Sequence, residues 1–324
     1  MLAVRVISDP AGGRVEVQDV PAPVAGPGQV LVKLRASGVN SGEIRQARER
    51  LSGPSITAGV EFAGEVAALG AGVKGWREGD RVMGHGRECQ AEYLLADPRA
   101  MMAVPTGVSW IQAASFPNVF ITAHDALIVN GQLKPGESVL VNGASGGVAL
   151  AAIQIAHLFG AKPVIAMSRS ASKLARLAEF GVDACIDSAS ESQLEAVMAA
   201  TGKRGVDIII DQLGGTVFEA NLQSLAVKGR MVQVARLGSA TAQIDLETLW
   251  MKRLKLIGVT FRTRTEEERL ACVEACARDM LPLLQAGRIR WAIERTFPVA
   301  SVAEAHACMS QGQHVGKIVL TIDQ

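Results

Sequence analysis

The sequence of 324 residues is poor in aromatic side chains and has almost no excess of charge of either sign. Aromatic residues make up 4% of the chain and include a single tyrosine, so a stacking platform for single-stranded nucleic acid is not expected. Lys and Arg total 33 against 32 Asp and Glu. A formal charge of +1 without a basic block argues against a protein that binds nucleic acid.

Cysteines are few, and long hydrophobic runs are lacking. Five cysteines, an odd number over a long chain, do not fit a disulfide framework and favour reduced thiols in a cytoplasmic protein. The most apolar long stretch, 148–161, is interrupted by Gln154 and His157 and is too short to cross a bilayer. Arg5 and Pro10 come too early for the apolar core of a signal peptide. The sequence therefore predicts a cytoplasmic chain with no membrane association.

Two hydrophobic patterns divide the chain, and its length already favours two domains over one. The first third contains short β-rich runs separated by glycines and prolines, which is typical of a barrel-like fold with tight corners. From about Gly136 strands and helices alternate strictly, with one of the helices predicted over 172–180. This alternation predicts a doubly wound parallel sheet. The C-terminal tail is expected to rejoin the first domain. The predicted fold class is α/β.

The segment 139–149 has the form of a strand, a glycine-rich turn and the start of a helix. The turn reads A-x-G-x-x-A, with Gly146 at the position where the backbone approaches a pyrophosphate in a Rossmann unit. The N–H groups of the following helix would point at the phosphates. This pattern predicts a dinucleotide site, and the alternative is a tight turn without a ligand. The residues predicted to contact the cofactor here are Ser145, Gly146, Gly147 and Val148.

The end of the second strand of this region distinguishes between two cofactors. An NAD site places Asp or Glu about 20 residues after the glycines to bind the ribose 2′-hydroxyl, and this sequence has no acid there. Arg169 and Lys173 can instead pair with a 2′-phosphate, while Ser168 and Ser170 donate hydrogen bonds. The pattern favours NADP(H), and the alternative is a set of ordinary solvated residues at a helix start.

Seven motifs, one of which is the glycine-rich turn, are distributed over the whole chain, at 27–32, 36–40, 59–64, 79–82, 144–148, 211–215 and 315–320. Together they resemble the medium-chain dehydrogenase/reductase superfamily, in particular its zinc-free quinone oxidoreductase branch. The segments 261–264 and 289–320 resemble its p53-inducible quinone oxidoreductase-like group. The resemblance implies a GroES-like β-barrel catalytic domain at 1–123, completed by 263–324, and a Rossmann NADP-binding domain at 124–262. It also implies an active cleft between them and a homodimer joined along the sheet edge at 254–261.

The zinc ligands of related alcohol dehydrogenases can be compared with this sequence position by position. Those relatives carry Cys, His and Cys where this chain has Asn40, Val60 and Asn118. Val60 has no donor atom, so the resemblance implies that no metal is bound. Without a Lewis acid, alcohol oxidation loses its main chemical support. Reduction of a quinone or an α,β-unsaturated carbonyl needs only hydrogen-bond donors for the developing negative charge.

The resemblance also implies roles for single residues. Asn40 would bind the substrate carbonyl or the cofactor carboxamide, with loop capping as an equal alternative, and Thr122 would contact the nicotinamide. His85 is a candidate proton source, with an exposed loop histidine as its alternative. A solvated lysine at a strand edge is the alternative for Lys317. The remaining residues implied near the cofactor are Ser188, Leu213, Gly214, Phe261 and Lys317.

Two departures from the family pattern leave the substrate open. Leu51 stands where many relatives have a cleft tyrosine, and Ala235 and Arg236 replace a glycine after the fifth strand. The predicted function is an NADPH-dependent, zinc-independent reductase of quinones or α,β-unsaturated carbonyls. One alternative is an enoyl-thioester reductase, in which Arg236, Arg262 and Arg264 bind a phosphopantetheine-type arm. The other is an NADPH-binding protein without catalytic activity.

Overall fold

The computed structural model describes residues 1–322, and their contacts divide into two compact units. Unit 1 comprises residues 1–119 and the chain from Glu266 onward, and unit 2 comprises Phe120–Thr265. The sequence places the domain limits at 123 and 263, within four residues of these divisions. Those limits stay a prediction. Across residues 1–322, no helix has the length and apolar character that a membrane span requires.

The strands lie in three sheets, of which the first two belong to unit 1 and the third to unit 2. In chain order the strands are β1 (Leu2–Ile7), β2 (Arg14–Asp19), β3 (Val30–Val39), β4 (Ile56–Thr57), β5 (Glu61–Leu69), β6 (Arg81–His85), β7 (Tyr93–Ala96), β8 (Met101–Ala103), β9 (Val139–Asn142), β10 (Val164–Ser168), β11 (Ala184–Asp187), β12 (Val206–Asp211), β13 (Leu225–Gln233), β14 (Lys255–Gly258), β15 (Ile293–Pro298) and β16 (Lys317–Thr321). The sheet orders are β2-β1-β4, then β15-β16-β3-β5-β6-β8 with β7 also paired to β3, and β11-β10-β9-β12-β13-β14.

The helices follow the strands in both units. They are α1 (Ser41–Arg48), α2 (Trp110–Ala114), α3 (Pro117–His124), α4 (Gly147–Leu158), α5 (Ala171–Leu174), α6 (Gln193–Ala200), α7 (Phe218–Ser224), α8 (Leu246–Met251), α9 (Glu266–Gln285) and α10 (Val302–Ser310). A π-helical turn, Asp125–Asn130, continues α3, and three short 3-10 segments lie at Pro98–Ala100, Ala178–Phe180 and Val299–Ser301.

Alternating burial along β3 organises the core of the larger sheet in unit 1. Val30, Val32 and Leu34 are buried while the residues between them are half-buried, as expected for a strand with one face in the core. These side chains pack in one apolar cluster with Phe62 and Val82. β16 pairs antiparallel with β3, so the C-terminal strand completes this sheet, as the sequence analysis expects.

The sheet of unit 2 is parallel throughout and has the order 3-2-1-4-5-6 when β9 is counted as its first strand. Every residue of β9 is buried, as expected for a strand covered on both faces of the sheet. The predicted doubly wound parallel sheet is therefore confirmed. The strand order reverses between β9 and β12, and in such sheets ligands bind beside the carboxyl ends of the strands at this point.

The sequence analysis is wrong about the region that follows β10. It predicts one helix over 172–180, whereas the structure has the short helix α5 and a separate 3-10 segment. Leu174, Leu177 and Phe180 are buried at intervals of three residues. Because three residues make one turn of a 3-10 helix, this spacing places all three side chains on one face of the tighter coil.

Candidate functional site

The glycine-rich turn joins β9 to α4 at the point where the strand order of unit 2 reverses. Gly143 adopts a φ of +65°, and Gly146 is the N-cap residue of α4. A Cβ added to Gly146 would meet no atom nearer than the carbonyl oxygen of Gly143 at 3.8 Å, so this side of the backbone is open. Gly146 has no side chain to cap α4, and the first-turn N–H groups have no acceptor within the helix. An open approach to helical N–H groups fits the pyrophosphate of a dinucleotide.

Alanines stand at the first and third positions of the fingerprint, and the structure accommodates both. Ala144 and Ala149 are fully buried, so neither methyl group reaches the open side of the turn. The Ala144 N–H donates to the carbonyl oxygen of Met167 at 3.0 Å, which attaches the turn to β10. Ser145 and Val148, two of the predicted phosphate contacts, are half-buried at the rim of the turn.

The residues predicted to bind the 2′-phosphate begin directly after Met167, the residue of β10 that accepts the hydrogen bond from Ala144. Ser168 ends β10, and its carbonyl oxygen accepts the Ser188 N–H at 3.0 Å, so the ends of β10 and β11 are adjacent. Arg169 is exposed and Lys173 is half-buried. Ser170 precedes α5, and its hydroxyl lies 3.0 Å from the hydroxyl of Ser172. The structure thus groups the predicted cofactor residues of three loops around the ends of β9, β10 and β11.

A buried carboxylate at the end of β12 shapes the fourth loop of this edge. Asp211 Oδ1 accepts the N–H groups of Leu213 at 2.7 Å and Gly214 at 3.2 Å. Burial raises the pKa of Asp211, and these hydrogen bonds oppose the rise. A Cβ on Gly143 would lie 3.5 Å from Leu213 Cδ2, so Leu213 is adjacent to the glycine-rich turn. Gly214 is buried with a φ of +76°, which gives it a conformational role. Its predicted contact with the ribose stays a prediction.

An ion pair holds the loop after β14 against the π-helical turn. Arg264 donates to Asp125 Oδ2 at 2.7 Å, and its guanidinium carbon lies 5.0 Å from the ring centre of Phe261. Asp125 is buried and begins the π-helical turn, three residues after the half-buried Thr122 in α3. Sequence reasoning missed Asp125, although an acid inside the apolar segment 119–129 is a detectable signal. Single π-helical turns are frequent at functional sites.

A polar network in unit 1 is centred on the buried side chain of Lys317. Its Nζ donates to the carbonyl oxygen of Val39 at 3.0 Å, to Asn40 Oδ1 at 2.8 Å and to Glu61 Oε1 at 2.5 Å. The alternative of a solvated lysine at a strand edge is therefore wrong, because Lys317 is only 4% exposed. All three ammonium hydrogens have partners within unit 1, so these contacts give no support to a role in cofactor binding, which stays a prediction.

Asn40 is the second member of this network. Its Nδ2 donates to Glu43 Oε1 and to Glu61 Oε1, both at 2.9 Å, and its Oδ1 accepts from Lys317 and from Asn118 Nδ2 at 2.8 Å. Asn40 precedes α1, but its side chain makes no capping hydrogen bond, so the loop-capping alternative is wrong. Both amide hydrogens have partners, and a bond from Asn40 to substrate stays a prediction.

Glu61 is the buried acid that the sequence analysis did not single out. Besides Asn40 and Lys317 it accepts the backbone N–H of Asn118 at 2.9 Å, at the start of α3. Its carboxylate fits only because a glycine faces it, since a Cβ on Gly38 would lie 2.2 Å from Glu61 Oε1. The signal in the sequence is a carboxylate that begins the apolar strand β5.

His85 ends β6 and hydrogen-bonds the side chain of Asn118. Burial lowers the pKa of His85 and the charge of Arg269 lowers it further, whereas Glu61 and the bond to Asn118 oppose the change. His85 is half-buried, so the alternative of an exposed loop histidine is wrong. Its role as a proton source stays a prediction.

Glu43 in α1 is the titratable end of the network. Burial raises the pKa of its carboxyl group from 4.5 to about 7, although the bond from Asn40 and the charge of Lys317 act in the opposite direction. Gln90 Nε2 donates to Glu43 Oε2 at 3.0 Å, and the buried Oε1 of Gln90 has no partner among residues 1–322.

The positions that hold zinc in related enzymes are occupied here by this network and by an apolar side chain. Asn40 and Asn118 hydrogen-bond each other, and Val60 offers no ligand atom. Within the part of the chain that the structure describes, no group of three or more His, Cys, Asp or Glu side chains could hold a metal ion. The expectation that the chain takes no metal stays a prediction.

Comparison with known proteins gives matches over both units. The model of the alcohol dehydrogenase GroES-like domain matches residues 26–128, and that of the zinc-binding dehydrogenase matches residues 147–275. The predicted GroES-like domain is thereby confirmed. Among curated proteins, the human synaptic vesicle membrane protein VAT-1 homolog is 37% identical over 54% of this chain and 46% of its own length. A pikromycin polyketide synthase component of Streptomyces venezuelae is 42% identical over 42% of this chain and 4% of its own length.

Solved structures match the chain over its full length. An alcohol dehydrogenase superfamily protein from Novosphingobium aromaticivorans is 30% identical with a TM-score of 0.89, and the match covers 100% of both chains. A mycobacterial quinone oxidoreductase is 28% identical with a TM-score of 0.84, covering 99% and 100%. A mycobacterial protein in complex with NADPH is 26% identical with a TM-score of 0.87, again covering 99% and 100%. The chain therefore belongs to the medium-chain dehydrogenase/reductase superfamily, a family of oxidoreductases that bind NAD(P).

Proposed function

We propose that this chain is an NADPH-dependent, zinc-independent reductase of quinones or α,β-unsaturated carbonyls, within the zinc-free quinone oxidoreductase branch. The observation that carries the proposal is the network of Asn40, Glu61, Asn118 and Lys317, in which each residue is hydrogen-bonded to at least one other member. Two of these residues stand where zinc-dependent relatives carry ligands, and their side-chain amides are weak ligands for zinc.

Quinones and enones are the proposed substrates because a network of hydrogen-bonding side chains can support their reduction. NADPH, when bound, supplies a hydride to an electron-poor carbon. A quinone or enone is electrophilic without Lewis-acid activation, so the protein needs only to bind it, exclude water and stabilise negative charge on its oxygen. Asn40 and Thr122 remain the residues that the resemblance assigns to this region. The mycobacterial quinone oxidoreductase, which shares the fold over the whole chain, supports this substrate class.

The proposed cofactor site lies at the carboxyl ends of the unit 2 strands. Ser145, Gly146, Gly147 and Val148 would bind the pyrophosphate; Ser188, Leu213, Gly214 and Phe261 would bind the adenosine and nicotinamide ribose parts. Ser168, Arg169 and Lys173 would bind the 2′-phosphate, because two cations and a hydroxyl group suit a dianion. The NADPH complex of the mycobacterial neighbour is consistent with this choice.

Two alternatives remain open. The match to a polyketide synthase component keeps an enoyl-thioester substrate in consideration. Leu51, which stands where many relatives have a tyrosine, is 55% exposed and can offer no hydrogen bond to a ligand, so an NADPH-binding protein without catalysis also remains. The cytoplasmic location inferred from the cysteine content is part of the same proposal.

An acceptor panel tests the reaction. We expect purified protein to oxidise NADPH with quinones and enones, and we expect dialysis against a chelator to leave the rate unchanged, because no step requires a metal. NADPH absorbance and elemental analysis of the protein are the measurements. Stoichiometric zinc whose removal abolishes turnover would contradict the proposal. Turnover with enoyl thioesters alone, or NADPH binding without turnover, would favour one or the other alternative.

Cofactor preference is tested with the double variant Arg169→Asp, Lys173→Ala. We expect NADPH affinity to fall roughly 100-fold or more while NADH affinity changes little, because hydrogen bonds to charged groups contribute about 1.5–3 kcal/mol each. Titration calorimetry with both cofactors provides the measurement. The control, Arg204→Asp with Lys162→Ala, makes the same charge change at exposed positions of unit 2. Equal loss of both cofactors would show that the 2′-phosphate is bound elsewhere.

The pH dependence of stability tests the environment of Glu43. The unfolded carboxyl group releases its proton near 4.5, whereas the folded one keeps it until about 7. Below pH 4.5 Glu43 is protonated in both states and the folded state has its full stability. As the pH rises from 4.5 to 7, the free energy of unfolding therefore falls, by at most about 3 kcal/mol. We expect Glu43→Gln to flatten this fall in the free energy of unfolding, measured by urea denaturation across the pH range. Glu49→Gln, an exposed acid beside the same helix, is the control and should keep the fall. An identical pH profile in Glu43→Gln would contradict the assignment.

We also propose that the chain forms a homodimer through the edge of its parallel sheet. β14 pairs with β13 on one side and is the last strand of its sheet within the described residues. Exposed apolar side chains cluster in sequence around it, with Leu246 at 63%, Trp250 at 65% and Leu256 at 40% exposure. An exposed strand edge flanked by apolar side chains suits pairing with a second copy.

Sedimentation velocity tests the dimer. We expect the wild type to be dimeric at micromolar concentration and Trp250→Glu with Leu256→Lys to be monomeric, because charges would be buried at the interface. Val24→Glu, an apolar position of unit 1 that is 84% exposed, is the control and should remain dimeric. A monomeric wild type, or a dimeric double variant, would rule out this edge as the interface.

A further inference from the structure

We propose that Gln212 is a positioning residue for the dinucleotide: its side chain holds the loop after β12 at a fixed distance from the glycine-rich turn and so sets the width of the crevice between them. The inference rests on the proposed cofactor site and deepens it by naming the residue that preorganises that site. All the groups involved belong to unit 2.

The crevice opens where β9 and β12 stop pairing. The ladder between these parallel strands ends at the pair of Val141 and Ile210, whereas the ladder between β9 and β10 continues to Asn142. Asn142 therefore pairs with β10 on one side and borders the opening between the strand ends on the other. In doubly wound sheets the ligand lies in this opening, at the point where the strand order reverses.

Gln212 bridges the opening with one hydrogen bond. Its Nε2 donates to the carbonyl oxygen of Asn142 at 3.2 Å, which links the two strands one step beyond their last backbone pair. Because a carbonyl oxygen can only accept, it selects the amide nitrogen of Gln212 and fixes the orientation of that side chain. The side chain is only 7% exposed, so the bond lies in an environment where it is stronger than in water.

The two ends of this bond belong to the two loops that are predicted to contact the cofactor. Asn142 directly precedes Gly143 and the glycine-rich turn, and its side chain hydrogen-bonds the carboxylate of Asp211. Gln212 directly precedes Leu213, whose N–H donates to the same carboxylate at 2.7 Å. The positions of both loops are therefore set by the same pair of strand ends.

The other side of the loop after β12 is fixed by backbone hydrogen bonds. The carbonyl oxygen of Gln212 accepts the Leu237 N–H at 2.9 Å, and that of Leu213 accepts the Gly238 N–H at 2.8 Å. These bonds attach the loop to the segment after β13. Without the Gln212 amide, the loop keeps this attachment and loses a link to β9, so the crevice can widen. A loop that is already in place spares the ligand the cost of ordering it.

Binding of the whole cofactor and of a fragment tests this role. Gln212→Met and Gln212→Leu remove the donor and leave an apolar side chain of similar size. We expect NADPH to bind about tenfold more weakly to both variants, the order expected for the loss of one buried hydrogen bond. The fragment 2′,5′-ADP lacks the nicotinamide ribose that Leu213 would contact, and its affinity should change by less than about twofold, because distant sites act independently.

Titration calorimetry provides both affinities. Gln223→Met, the same substitution at a half-buried amide of α7, is the control and should match the wild type for both ligands. Circular dichroism checks that each variant is folded. Equal weakening of NADPH and 2′,5′-ADP, or no weakening of either, would overturn the inference.

Hydrogen exchange of the protein without ligand separates this inference from the proposed function. We expect the backbone N–H groups of residues 211–215 to exchange faster in Gln212→Met, while the buried strands β9 and β10 keep their protection. Unchanged exchange at 211–215, or faster exchange throughout unit 2, would overturn the inference. If the wild type binds neither cofactor, the proposed function fails, and this measurement still decides whether Gln212 holds the loop. If it binds NADH in place of NADPH, only the cofactor choice fails, and NADH is compared with AMP.

Discussion

The buried ion pair between Lys317 and Glu61 is the interaction on which the polar network of unit 1 depends. Both side chains are almost completely inaccessible, and each is a charge that the interior tolerates only because the other is present. Removing one partner from such a pair typically costs about 3–5 kcal/mol, since the remaining charge is left without compensation. The pair therefore constrains every neighbouring side chain to accept from Lys317 or donate to Glu61.

This constraint turns two ordinary asparagines into oriented groups. An amide can present either its oxygen or its nitrogen, and in water it would exchange freely between the two. Beside a donor and an acceptor of fixed identity, Asn40 has one favourable orientation, and it imposes one on Asn118 in turn. Glu43, whose pKa is raised by burial to about 7, completes the network and links its net charge to pH. Hydrogen bonds to partners of fixed chemistry thus give both side-chain amides a defined orientation.

Unit 2 illustrates a different source of order. The open face of Gly146, the buried methyl groups of Ala144 and Ala149, and the adjacent end of β10 all follow from local geometry. The strand, the tight turn and the helix are consecutive in the chain, so the sequence pattern alone predicts the dinucleotide site. The same holds for the parallel sheet, whose apolar strands alternate with helices. Prediction was less successful over 172–180, where the three-residue spacing of Leu174, Leu177 and Phe180 favours two short segments over one helix.

The sequence by itself determined the α/β class, the doubly wound sheet, the glycine-rich turn and the superfamily resemblance, because each depends on residues close together in the chain. Only the tertiary structure decided which groups Lys317 and Asn40 hydrogen-bond, since their partners lie up to 278 residues away along the chain. The sequence of the motif 315–320 is the same whether its lysine is solvated or buried. Burial and the identity of its neighbours distinguish the two cases, and both arise only when β16 joins β3 and brings Glu61 of β5 within hydrogen-bonding distance.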